Sequence, residues 1–105
     1  FQLDDVNNDL LTIAEDNNIS AAGLFDTSGG AGVLPDSWPK SNKWIGYAGG
    51  LGPDCLNEQL NEIAKVAEGE IWIDVETKVR TFDERLDLEK VEKFLQISSL
   101  WVYNV

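Results

Sequence analysis

Three short segments set acids, glycines and a lysine where they can do chemistry. Asp26 follows an apolar run at 21–25 and leads into Thr27-Ser28-Gly29-Gly30-Ala31-Gly32. Gly49-Gly50-Leu51-Gly52-Pro53 follows a second apolar run at 44–48. Asp74-Val75-Glu76-Thr77-Lys78 closes a third run that begins at Ile71. A carboxylate at a strand end can act as general acid or base, and the same group can simply cap its own loop. Paired glycines let backbone N–H groups approach an anion, and a helix N-terminus behind them adds partial positive charge. The same glycines also suit a tight strand-to-helix turn with no ligand. Glu76 and Lys78 can meet a ligand, pair with each other, or stand in solvent.

Composition narrows the chemistry. The 105 residues carry 8 basic and 19 acidic side chains, a net charge of −11, which opposes a broad nucleic-acid interface or docking on anionic lipid. One phosphate is not excluded, because a few local amides suffice to hold it. The absence of histidine removes Ser-His-Asp and Cys-His catalysis within the chain. The lone cysteine, Cys55, precludes an internal disulfide and a Cys-rich zinc site. Cys55 falls in the first turn of a helix, a location that can activate a thiol, but no basic residue lies beside it and an inert thiol fits as well. Trp38, Trp44, Trp72 and Trp101 read as packing residues rather than a base-stacking platform. No run approaches the length of a membrane helix and no signal-peptide pattern opens the sequence, so a cytoplasmic protein is expected.

Period and punctuation give the elements that must position these groups. Leu3 closes a strand stub. Val6, Leu10, Ile13 and Ala14 recur at helical spacing, with Asp4 and Asp5 at the N-terminal end and Asn17 and Asn18 at the C-terminal end. Residues 33–43 hold Pro35 and Pro39 and read as irregular connection. Pro53 suits a first helical turn, and Leu56, Leu60, Ile63, Ala64 and Ala67 keep helical spacing up to Gly69. Asp87 is a candidate N-cap, with Leu86 and Val91 set as a hydrophobic staple; Leu88, Val91, Phe94 and Leu95 continue that helix. Residues 100–105 form an apolar tail, either a strand or a docked terminus. Short apolar strands alternating with helices predict a single α/β unit over 1–105 with a parallel sheet. Ligands in such folds gather at the carboxyl ends of the strands.

Taken in order, the three strand ends resemble the last three strands of the phosphoribosylanthranilate isomerase family, a (β/α)8 barrel of tryptophan biosynthesis. Leu24-Phe25-Asp26, then Gly29-Gly30-Ala31-Gly32 and Asp36-Ser37-Trp38, are similar to that family's sixth strand, Gly-Gly-Thr-Gly loop and Asp-Trp pair. Gly49-Gly50-Leu51-Gly52-Pro53 is similar to its Gly-Gly-Leu-Asn-Pro. Asp74-Val75-Glu76-Thr77-Lys78-Val79-Arg80 stands where the family has Asp-Val-Ser-Ser-Gly-Val-Glu. The likeness runs from about Ala21 to Leu95.

The resemblance implies a parallel half of a TIM barrel, about strands five or six to eight. It implies an Amadori aldose–ketose isomerisation of a phosphoribosyl amine. Asp26 would be the general acid that opens the sugar ring. Gly29, Gly30, Gly49, Gly50, Leu51, Thr77 and Lys78 would bind substrate or its phosphate. No metal or organic cofactor is implied. The family's base is a cysteine on the first strand, which this chain does not hold, and Cys55 does not occupy its place. The isolated chain is therefore expected to be inactive, and to associate with a second copy or with a complementing N-terminal half. The expected small-molecule partner is a phosphorylated ribose. The competing expectation is a non-catalytic half-barrel that binds sugar phosphate or serves only as a scaffold.

Overall fold

The computed structural model describes residues 2–3, 9–29, 31–41 and 44–102. Four strands, β1 (Gln2–Leu3), β2 (Gly23–Phe25), β3 (Ile45–Tyr47) and β4 (Ile71–Ile73), form one sheet in the order β1-β2-β3-β4. Every neighbouring pair is parallel. The α/β class and parallel sheet expected from the sequence are therefore present. Among the described residues the order never reverses, so the described strands form no switch point of the doubly wound kind. Each crossover steps to the next strand in one direction. Right-handed connections then put the covering elements on one face.

The helices are α1 (Leu10–Asp16), α2 (Leu56–Ala64) and α3 (Leu88–Ser99). Val6, Asp4 and Asp5 lie outside the described residues. At the other end of α1 the asparagines do what their position predicts. Asn18 takes φ 58°, its N–H donates to Glu15 O, and the Ile19 N–H reaches back to Ala14 O. That pair of bonds is a Schellman closure, and Asn tolerates its left-handed residue better than most side chains.

Helix α2 is shorter than its periodicity suggested. Residues 53–55 form a turn, Cys55 is the N-cap, and the helix stops at Ala64. The chain beyond it is drawn into a parallel bridge between Ser41 and Ala67, which competes with further helical bonding. Helix α3 begins as expected, with Asp87 Oδ1 accepting the N–H groups of Glu89 and Lys90. Its buried face differs from the expected one. Phe94 is buried and Val91 and Ile97 pack on the core, whereas Leu88 and Leu95 are exposed. Leu86 is 62% exposed, so the staple buries little of it. Leu100 and Val102 are exposed and form no strand, while the Trp101 indole N–H donates to Asn57 Oδ1 on α2. Residues 103–105 lie outside the described set.

Side chains alternate across the strands. Leu3, Phe25, Ile45 and Tyr47 face the helices and join Leu56, Leu60, Ile63 and Phe94 in the core. Each fully buried aliphatic side chain here contributes roughly 1.5–3 kcal/mol. Among the described residues, no helix covers the β2–β3 crossover. Trp38 does that work instead: it is buried, makes edge contacts with Phe25 and Tyr47, and donates its indole N–H to Gln59 on α2. Tyr47 anchors the same loop by donating to Pro39 O at 2.9 Å.

On the opposite face, Gln2, Leu24, Gly46 and Trp72 stand in one register row. A Cβ at Gly46 would lie 2.4 Å from the Trp72 ring, so the indole lies flat across the glycine. Trp44 tilts against Trp72 and is 59% exposed. The packing role expected of all four tryptophans thus holds for Trp38 and in part for Trp72. Trp44 and Trp101 remain exposed. Among the described residues, no helix is long and apolar enough to cross a membrane.

Candidate functional site

The ladder runs one residue past each strand. Asp26 N–H donates to Leu3 O, Ala48 N–H to Phe25 O, and Asp74 N–H to Tyr47 O. Asp26, Ala48 and Asp74 therefore continue the row begun by Leu24, Gly46 and Trp72. Two strand spacings put the Asp26 and Asp74 Cα atoms about 10 Å apart, with only the small Ala48 between them. A cleft open to solvent lies at these carboxyl ends. Asp26, Gly49, Gly50, Leu51, Thr77 and Lys78, all singled out from the sequence, line it together. Gly29 is exposed and is not part of the lining, and Gly30 lies outside the described residues.

Asp26 is only 8% exposed. Its Oδ1 accepts the Ser28 N–H at 3.0 Å and the Ser28 hydroxyl at 2.6 Å. Its main-chain oxygen accepts from the Gln2 side chain. One carboxylate oxygen thus caps the loop while the residue faces the cleft. The loop-capping role read from the sequence is filled, and the same side chain stands at the cleft.

The glycines have specific neighbours. Gly49 and Gly50 adopt φ 110° and 72°. A Cβ on Gly49 would lie 3.1 Å from Asp26 Oδ1, and one on Gly50 would lie 2.5 Å from Leu34 N. The β2–β3 loop therefore rests on this turn, and the glycines permit that approach as well as any approach of a ligand. A Cβ on Gly52 would meet Lys78 Cβ at 2.5 Å, and one on Gly32 would meet Thr77 Cβ at 2.9 Å. The three strand-end loops are knitted together through these glycines. Such contacts are long-range and leave no local trace in the sequence.

The cleft's charges are Asp26, Asp74 and Glu76 against Lys78. Lys78 stands over the entry to α2, and both it and Glu76 are exposed. An anion here would rest on Lys78, on amides at 49–51 and on the N-terminus of α2, and would have to sit away from Glu76. The sequence reading missed Asp74 as a lining residue. Its signal was the period of two along β4, which puts Asp74 on the same face as Trp72. Cys55 Sγ donates to Gly50 O at 3.5 Å and Gly52 O at 3.7 Å, a weakly bonded thiol behind the turn. Among the described residues, no group of three or more His, Cys, Asp or Glu side chains is arranged to hold a metal ion. Comparison with protein-family models, curated proteins and solved structures finds no match for the chain.

Proposed function

We propose that this chain is the acid-bearing and phosphate-binding part of a (β/α)8-barrel isomerase of the phosphoribosylanthranilate isomerase kind. Its substrate is a phosphorylated ribosyl amine, and the reaction is an aldose–ketose rearrangement. Asp26 delivers a proton to the ring oxygen as the sugar opens. Amides at Gly49, Gly50 and Leu51, with Thr77 and Lys78, hold the phosphate. Asp74, across Ala48 from Asp26, lies within reach of the opened sugar and orients it. A base for the C2 proton has to come from elsewhere in a completed barrel. The observation that carries this reading is that Asp26 and the Gly49–Gly50 turn share one cleft at the carboxyl ends of consecutive parallel strands.

A second reading is favoured by a different observation. Asp26 Oδ1 is already occupied by Ser28, and the cleft carries three carboxylates. On that reading the fold is a non-catalytic scaffold and the acids are structural.

Ribose 5-phosphate separates the two. Thermal unfolding with millimolar ligand should rise by several degrees for the isomerase reading. Lys78→Ala should abolish most of that rise. Asp26→Asn should keep ligand-induced stabilisation yet abolish any turnover gained on mixing with an N-terminal half-barrel that carries the first-strand cysteine. An unchanged unfolding temperature at saturating ribose 5-phosphate would leave only the scaffold.

A further inference from the structure

Charge and exposed apolar surface are divided unevenly along the chain. Residues 1–77 carry 3 basic and 14 acidic side chains, the whole net charge of −11, whereas residues 78–105 carry 5 of each and are neutral. Among the described residues, seven large apolar side chains are at least 60% exposed, and six of these lie in the neutral part: Phe82, Leu86, Leu88, Leu95, Leu100 and Val102. Leu88 and Leu95 stand two turns apart on one side of α3, next to the Val91 and Phe94 face that packs on the core. Phe82 is held out by a loop closed on itself. Thr81 N–H donates to Arg85 O at 2.7 Å, Glu84 N–H donates to Thr81 O at 3.0 Å, and Arg80 bridges Leu86. An apolar surface that is already ordered loses little freedom when it is covered. None of the six side chains lines the cleft.

We infer that α3 and the loop before it form an interface with a second copy of this chain, the two α3 helices packing antiparallel across a two-fold axis. Three observations select that occupant. The first is charge: in a chain of −11, the neutral segment is where two copies can touch without bringing their acids together. A basic partner would be drawn to the acid-rich residues 1–77 instead. The second is its pattern along the helix. Glu89, Lys90, Glu92 and Lys93 all lie in the first half of α3, and residues 94–102 hold no charge. An antiparallel pair sets each charged half beside the other copy's uncharged half, so like charges do not meet and the helix dipoles oppose. The third is area. A folded monomer of 11.6 kDa exposes about 5,800 Å² by the size scaling of globular proteins. This chain exposes 7249 Å². The excess, roughly 1,400 Å², is more than the approximately 800 Å² that each partner gives up in a standard interface.

Sedimentation equilibrium on the full chain at about 100 μM tests this. The expected mass is twice 11.6 kDa. The acids outside the contact still repel at a distance, so the dissociation constant should fall as salt is raised. Leu88→Glu with Leu95→Glu would bury charge in the contact and should raise the dissociation constant at least about 100-fold, with the far-ultraviolet circular dichroism unchanged. Phe82→Ser changes a side chain that is fully exposed in one copy, so it cannot unfold that copy, and it should weaken association about tenfold. Ile19→Lys, at an exposed apolar position in the acidic part, should leave the dimer intact. A monomer at this concentration overturns the proposal and leaves the surface to a different protein. A dimer indifferent to the α3 and Phe82 variants overturns it as well, as does one that Ile19→Lys disrupts equally. A dimer that weakens as salt rises would be held by ion pairs and not by this surface.

Discussion

Gly29 and Gly50 have almost the same backbone twist, φ 62° and 72°, and nothing else in common. A Cβ on Gly29 would meet nothing within 4 Å, whereas on Gly50 it would strike Leu34 N at 2.5 Å. Left-handed strain alone costs a non-glycine residue roughly 1–2 kcal/mol. Gly29→Ala should therefore lower stability by about 1 kcal/mol, seen as a small shift of the urea midpoint. Gly50→Ala should cost at least about 3 kcal/mol, because the β2–β3 loop must also lift. Equal losses for the two would mean that the loop does not bear on the turn as described. The contrast also bears on the ligand, because Gly50 lines the cleft and Gly29 does not. A turn displaced at Gly50 would move its amide out of the proposed phosphate cradle, so ligand-induced stabilisation should fail in Gly50→Ala and survive in Gly29→Ala.

Elements were read from the sequence as well as their causes were local. The Asp87 cap is a local cause: two backbone N–H groups find one carboxylate within three residues. Asp87→Ala should cost about 1 kcal/mol and lower the thermal midpoint, while Asp87→Asn should recover most of the loss. No difference between Ala and Asn would remove the cap from the account. The Asn17 and Asn18 stop and the parallel strand sequence were legible for the same reason. The end of α2 was not, because the Ser41–Ala67 bridge that ends it joins residues 26 positions apart. The buried stripe of α3 was misread at Leu88 and Leu95. Periodicity names the apolar positions of a helix but does not say which of them its neighbours reach. At the cleft, Asp26, Gly49, Gly50, Leu51, Thr77 and Lys78 were legible because strand ends converge in a parallel sheet. Asp74 was overlooked although its parity along β4 marked it, and Trp38 as a substitute for a crossover helix had no local signature at all.

At the scale of the molecule, Tyr47 ties the sheet, the β2–β3 loop and the core into one cooperative unit. It is fully buried, makes edge contacts with Phe25 and Trp38, and donates to Pro39 O. Burial raises its pKa above the ordinary value of 10.0, because the phenolate would lose its hydration. The sign of the linkage follows. In the unfolded chain the phenol ionises near pH 10, while in the folded chain it stays protonated, so the native state binds more protons above that pH. The contribution to stability is whole below pH 10 and is lost as pH rises from there through the higher folded value. The net charge of −11 adds self-repulsion over the same range. Tyr47→Phe keeps the ring and loses the hydroxyl, leaving the Pro39 carbonyl without its phenol donor. At pH 7 it should destabilise by about 1 kcal/mol, a drop of roughly 4–8 °C in midpoint. Between pH 10 and 12 its stability should fall less steeply with pH than that of the wild type, so the two urea midpoints converge. Parallel curves across that range would mean that the buried phenol is not what links alkaline pH to unfolding, and would shift the cause to the surface charge, which added salt would then relieve equally in both proteins.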